Sequence, residues 1–302
     1  MNLIVFDMDG VLVDVSASYR EATRQAAYIF LRGCRGGQLL KEPLFSLEEL
    51  ALVKQSGGLN NDWDMTHRII SLLLVMAECK GADRLEWNVE PLASFLDSNP
   101  RPLSAIMESG RLSKAADAYY AGDVGSGNVI KQIFQEIYLG QELFAKTYGF
   151  APQYCLKDGL ILKEKLFISK ELLQKLAVGN TLAIATGRPR SEAVYPLEKH
   201  GLDMFSAIMS LDECGPENQK PSPFMLDHIA SLYPDAEKLY YFGDVGDDMR
   251  AAKNSRYPYV AVGIAYSAPD RNAAVKALSE CGADILIYSP EKLTDIFGGS
   301  NV

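Results

Sequence analysis

Leu3-Ile4-Val5-Phe6-Asp7-Met8-Asp9-Gly10 decides how the rest of this chain is read. Its first four residues form a short apolar, partly β-branched run, the pattern of a strand buried on both faces. The run stops at two aspartates and a glycine, which sets carboxylates at the C-terminal end of that strand. Ligands of open α/β sheets bind at such ends, so the other strand ends must show whether Asp7 and Asp9 have company.

After Ser169 helix and strand alternate. The pattern predicts helices over 169–178, 190–200, 223–232, 247–254 and 269–280, with strands over 181–185, 207–210, 238–242, 259–264 and 284–288. That rhythm is the signature of a parallel sheet. Pro223 after Ser222 supports one boundary, because proline suits the first helical position and serine can cap it.

Between the first strand and this repeat, the chain reads as helical. Ser18 and Glu21 have capping-box spacing ahead of Ala22, Ala26, Ile29 and Phe30. Further helices are expected at about 46–55, 65–80, 102–120 and 128–148, with only Tyr154–Leu156 and Leu160–Leu162 suggesting strand. The fold class is therefore α/β: a Rossmann-like parallel-sheet core from residues 1–14 and 169–302, and an inserted all-helical domain over 15–168.

The 302 residues carry 30 Lys+Arg against 39 Asp+Glu, a net charge of −9. This balance disfavours nucleic acid or an anionic membrane surface as partner. Apolar runs such as Ile69–Ala77 fall short of the ~20 residues a membrane span needs, and Asp7 and Asp9 interrupt any signal-peptide core. Five scattered cysteines without a C-x-x-C pair read as free thiols, so a cytoplasmic location is expected. Oligomeric state is left open by the sequence.

Four strand ends carry polar residues suited to one reaction: Asp7 with Asp9, Thr186 with Gly187, Lys220, and Asp244 with Asp247 and Asp248. Converging carboxylates repel one another and are costly to desolvate unless a cation neutralises them. Oxygen ligands point to a hard ion, Mg²⁺. Thr186, Gly187 and Lys220 supply the donors and positive charge an anion such as phosphate requires.

Taken together, Asp7-Met8-Asp9-Gly10-Val11, Thr186-Gly187, Lys220-Pro221 and Gly243-Asp244-x-x-x-Asp248 resemble the four ordered motifs of the haloacid dehalogenase (HAD) superfamily. By position and helical character, the insertion resembles a C1-type cap of subfamily I, and the whole looks phosphoglycolate phosphatase-like. The resemblance implies that Asp7 is a nucleophile forming an aspartyl-phosphate and that Asp9 protonates the leaving group and then activates water. It also implies Mg²⁺ held by Asp7, Asp9 (through its backbone carbonyl) and Asp244, with Asp248 behind them or acting through water. Thr186 and Lys220 would hold the phosphoryl oxygens.

The implied activity is a Mg²⁺-dependent phosphomonoesterase for a small phosphorylated metabolite. An aspartate two residues after the nucleophile sets phosphatases and phosphomutases apart from dehalogenases. A sugar phosphomutase of the β-phosphoglucomutase type is an alternative, set lower because Thr186-Gly187-Arg188 departs from that branch's serine-rich motif. A non-catalytic binding module on the same scaffold is another.

Within the insertion, Gly57-Gly58-Leu59-Asn60-Asn61-Asp62-Trp63-Asp64 reads as a polar loop feeding a helix capped by Asp64 or Thr66, with Asn61 a candidate substrate contact. Arg20, one turn into the first helix, is a candidate for a second anionic group. Tyr119–Gly125 echoes Tyr240–Gly246, but Gly127 stands where an acid would be needed, so Asp123 reads as a decoy. His67, His200 and His228 lack metal-site or hydrolase spacing, and Arg188 follows Thr186 closely enough to face the same site.

Overall fold

The computed structural model describes residues 1–55 and 61–297. The chain opens with β1 (Asn2–Phe6) and the short β2 (Val13–Asp14). Six helices follow: α1 (Tyr19–Arg32), α2 (Leu47–Gln55), α3 (Asp62–Leu73), α4 (Glu90–Ser98), α5 (Pro102–Glu108) and α6 (Val129–Tyr148). It then passes through β3 (Lys165–Leu166), α7 (Lys170–Ala177), β4 (Asn180–Ala185), α8 (Arg190–His200), β5 (Phe205–Met209) and α9 (Leu211–Cys214). The last elements are α10 (Phe224–Leu232), β6 (Leu239–Gly243), α11 (Gly246–Asn254), β7 (Tyr259–Ile264), α12 (Arg271–Glu280) and β8 (Ile285–Ile287).

Two compact units result, one from 1–15 with 165–302 and one from 16–164. In the first, six strands form a parallel sheet in the order β5-β4-β1-β6-β7-β8. β1 lies between β4 and β6, with Phe6 level with both Ile184 and Phe242. Side chains alternate across a strand, so Ile4 and Phe6 enter one core with Leu173, Ile184 and Val262, and Leu3 and Val5 enter the other with Ala183, Met225 and Met249. Burial on both faces explains why these strands read as continuous apolar runs. The chain builds outward from β1 to β4 and β5, then crosses back to β6. The switch point therefore falls at the ends of β1, β4 and β6, where Asp7, Thr186 and Asp244 stand.

Lys165 and Leu166, placed in the insertion by the sequence reading, pair antiparallel with Asp14 and Val13 and belong to the sheet-bearing unit. Here a two-residue ladder outweighs composition, which has no period to report over so few residues.

The helical unit is knit by α1 and α6. Tyr19 stacks on Tyr138 at 4.3 Å between ring centres. The expected Ser18–Glu21 capping box does not form. Ser18 donates its hydroxyl to the buried Glu164 carboxylate (2.8 Å), which also accepts from Tyr138 (2.9 Å), while Glu21 pairs with Arg24 (2.6 Å). The first turn and last residue of the unit are thereby tied by one buried carboxylate.

Other expectations here needed correction. The helix expected over 102–120 stops at Glu108, and Gly110 then turns left-handed (φ +65°). The helix expected over 65–80 begins earlier, at Asp62, and ends at Leu73. α4 was not anticipated. Neither strand suggested near the end of the unit exists: 160–163 forms a 3-10 turn, and the N–H groups of Gln153, Tyr154 and Cys155 donate to the Glu136 carboxylate at 2.9, 2.5 and 3.0 Å. A buried acid thus takes the place of a neighbouring strand. α6 is interrupted at Gly140 (φ +72°), where a β-carbon would stand 2.1 Å from the Gly159 nitrogen.

All five cysteines are free thiols, and no helix among the described residues is long and apolar enough to cross a membrane. Asp123 lies on the surface of the helical unit, paired with Lys131 at 2.7 Å and 66% exposed. Exposed pairs contribute about 0–1 kcal/mol. Asp123→Asn should therefore leave turnover within about twofold of wild type, and a larger loss in a rate assay would overturn the decoy reading.

Candidate active site

Asp7 follows β1 directly, and its N–H donates to the Phe242 carbonyl (2.8 Å), which prolongs the sheet by one residue and fixes the side chain at the switch point. Lys220 Nζ bridges Asp7 Oδ1 and Asp248 Oδ1, 2.7 Å from each. Asp248 is fully buried and also accepts from the Tyr241 hydroxyl (2.8 Å) and the Val245 N–H (3.2 Å). The Tyr241 ring centre stands 5.4 Å from the ammonium, adding cation–π attraction from the strand side.

Burial dominates the electrostatics. It raises the Asp7 carboxyl from its ordinary 3.8 to about 7, against the pull of Lys220 and with added repulsion from Asp248 and Asp9. Desolvation acts to lower Lys220, but Asp248 and Asp7 outweigh it and hold the ammonium above its usual range. The site is thus short of positive charge: Asp7, Asp244 and Asp248 each offer a carboxylate oxygen within 4.8 Å of the others. Hard oxygen donors with an unmet negative charge fit Mg²⁺. Asp7, Asp244 and Asp248 could hold it, with Asp248 also taken up by Lys220, Tyr241 and Val245 and Asp7 by Lys220.

Gly10 makes this convergence possible. It adopts φ +74°, and a β-carbon there would lie 2.1 Å from Asp244 Oδ2 and 3.2 Å from Ser267 Oγ. Ser267 Oγ is itself buried without a hydrogen-bond partner among the described residues, which leaves a polar oxygen beside Asp244. Sequence reading did not single out Ser267 or Tyr241, because neither carries a charge nor falls in a motif.

Asp9 is turned elsewhere. Its carboxylate meets Arg188, whose Nε donates to Oδ1 at 2.6 Å. Thr186 accepts the Arg188 N–H on Oγ1 (3.2 Å), and its own N–H donates to the Met209 carbonyl (2.9 Å). Its hydroxyl makes no other hydrogen bond among the described residues and could donate to an anion. Gly187 is exposed beside it, with open space where a side chain would be.

Asp7, Asp9, Thr186, Gly187, Lys220, Asp244 and Asp248 therefore all belong to the sheet-bearing unit, whereas Arg20 and Asn61 belong to the helical one. Arg20 is half-buried in the first turn of α1. Asn61, and neither Asp64 nor Thr66, caps α3: its Oδ1 accepts from the Asp64 N–H (2.7 Å) and its amide donates to the Asp64 carboxylate (2.5 Å). Capping thus accounts for the Asn61 side chain. Trp63 lies under Lys131, 4.1 Å from its ring centre, and Gly57–Asn60 lie outside the described residues.

A profile of haloacid dehalogenase-like hydrolases matches residues 1–256. The chain belongs to this family. A protein of Phytophthora nicotianae named imidazoleglycerol-phosphate dehydratase is 26% identical over 295 residues, which is 94% of this chain and 49% of that protein. The chain thus spans about half the length of the curated relative it matches. Among solved structures it is similar to the phosphatase Tt82 from Thermococcus thioreducens (22% identity, 92% and 99% of the two chains, TM-score 0.57). It is also similar to a candidate phosphoglycolate phosphatase from Lactobacillus delbrueckii (16%, 99% and 99%, 0.54) and a candidate β-phosphoglucomutase from Thermotoga maritima (19%, 98% and 98%, 0.51). At these identities the likeness is one of fold.

For this HAD-like hydrolase, Gly10→Ala should displace the Asp244 carboxylate. If Asp244 holds Mg²⁺, displacing it costs about 10–100-fold in metal affinity, and the Mg²⁺ concentration for half-maximal activity should rise at least tenfold. An unchanged Mg²⁺ titration would show that Asp244 is not a ligand.

Proposed function

We propose that this HAD-like hydrolase is a Mg²⁺-dependent phosphomonoesterase that works on a small phosphorylated metabolite through an aspartyl-phosphate on Asp7. The observation that carries this reading is the setting of Asp7: a buried carboxylate at the sheet's switch point, held by Lys220 at 2.7 Å and followed two residues later by a second aspartate that is held separately.

When bound, Mg²⁺ supplies positive charge to the phosphoryl oxygens and keeps Asp7 ionised. Lys220 adds positive charge and, being pinned between Asp7 and Asp248, needs no rearrangement as charge develops. Thr186 donates its hydroxyl to a phosphoryl oxygen. Asp7 attacks phosphorus, Asp9 gives its proton to the departing oxygen, and Asp9 then takes a proton from the water that cleaves the aspartyl-phosphate. Dividing one displacement into two is the gain of covalent catalysis.

The test is phosphate release from a panel of small phosphoesters, with Mg²⁺ or with EDTA. The panel holds phosphoglycolate and sugar phosphates, and the Phytophthora relative's name adds imidazole glycerol phosphate. Metal-dependent release is the expected result. Isomerisation of a sugar phosphate without release would favour the phosphomutase, and binding without either reaction would favour a binding module.

A further inference from the structure

The guanidinium of Arg188 is buried against Asp9 in an unusual way. The residue is 2% exposed; its Nε donates to Oδ1 of Asp9 at 2.6 Å, and Nη2 stands 2.6 Å from the same oxygen as an ion pair without making a hydrogen bond among the described residues. An Arg–carboxylate fork usually divides its two N–H groups between both oxygens. Here Oδ2 accepts no hydrogen bond from the described residues, and the Asp9 side chain is 35% exposed. The clamp is itself anchored: Nη1 donates to the Glu192 carbonyl (3.3 Å) and the Arg188 N–H to Thr186 Oγ1 (3.2 Å). One residue therefore fixes both the acid and the hydroxyl expected to hold phosphate.

We propose that Arg188 is a positioning residue that pins Oδ1 of Asp9 and so assigns Oδ2 to proton transfer with the leaving group. The inference rests on the phosphomonoesterase reading. In the step concerned, a carboxylate oxygen of Asp7 bonds to phosphorus as the bond from phosphorus to the ester oxygen breaks. The electron pair of that bond stays on the ester oxygen, which takes the proton from Asp9 Oδ2. The alcohol leaves neutral, and Asp9 is left as a carboxylate paired with Arg188.

A positioning role predicts a dependence on the leaving group that a structural role does not. Alkyl esters need the proton, whereas p-nitrophenolate leaves without it. The measurement is kcat/KM, which reports transfer to Asp7, for an alkyl phosphomonoester cleaved by the wild type and for p-nitrophenyl phosphate. General acid catalysis contributes about 10²–10⁴-fold. Arg188→Met should therefore lose about 100-fold or more on the alkyl ester and less than about tenfold on the nitrophenyl ester. Arg188→Lys, which keeps the charge without the Nε–H donor that holds Oδ1, should show the same preference with a smaller loss, and it decides the matter alone if Arg188→Met fails to fold by near-UV circular dichroism. Asp9→Asn should show the same ordering, and adding Arg188→Lys to it should not steepen the leaving-group dependence. Equal losses on both esters, or none, would overturn the assignment and leave the phosphatase reading intact. A wild type that cleaves neither ester, nor any member of the panel, overturns both.

Discussion

Asp7→Asn should abolish turnover, by on the order of 10⁴-fold or more as is usual when a nucleophile is removed, without weakening the fold. The second half of this expectation follows from the electrostatics. A carboxyl raised from 3.8 to about 7 by burial costs the folded, metal-free protein stability as pH rises through that window, because the unfolded chain ionises at no such cost. Asparagine has nearly the same shape and no charge to desolvate. In EDTA at pH 8 the variant should therefore melt no lower than wild type, and Mg²⁺ should raise its melting temperature less. Retained turnover would remove Asp7 as nucleophile, and a strongly lowered melting temperature in EDTA would contradict the account of its burial.

Lys220→Met should do the reverse, damaging stability first. The lysine side chain is 13% exposed and lies between Asp7 and a fully buried Asp248. Removing one partner of a buried ion pair costs about 3–5 kcal/mol, since the remaining charge is left uncompensated. Chemical unfolding in EDTA should show a loss of this size, partly recovered by Mg²⁺. Adding Asp248→Asn should recover part of it by relieving the repulsion that Lys220 now screens, a coupling that a double-mutant cycle isolates. Equal stability of Lys220→Met and wild type in EDTA would show that the lysine does not hold the acids together.

Short-range pattern made much of the molecule legible. Buried parallel strands have an apolar signature, so β1, β4, β6 and β7 could be placed within a residue or two, and the polar residues that follow them could be read as one site. Period and capping spacing were less reliable in the helical unit. Ser18 and Glu21 have the spacing of a capping box, yet both side chains have other partners. Asn61, a candidate substrate contact by sequence, caps α3 with its side chain. The Ser18 partner, Glu164, lies more than a hundred residues away, where local spacing carries no information, whereas Glu21–Arg24 and Asn61–Asp64 are pairs three apart, one of several pairings that the same spacing permits.

The same division runs through the site. By itself, the sequence determined which acids and hydroxyl follow β1, β4 and β6, because strand length and side-chain alternation fix what emerges there; Lys220, expected at a strand end, lies instead in the loop between α9 and α10. Only the tertiary structure decided how those groups share their charges. Lys220 lies between Asp7 and Asp248, Tyr241 supports Asp248, Arg188 takes Asp9 by one oxygen, and Gly10 leaves room for Asp244. Such pairings depend on which strands the chain sets side by side and on how far each side chain is removed from water, and both are long-range properties of the packed sheet.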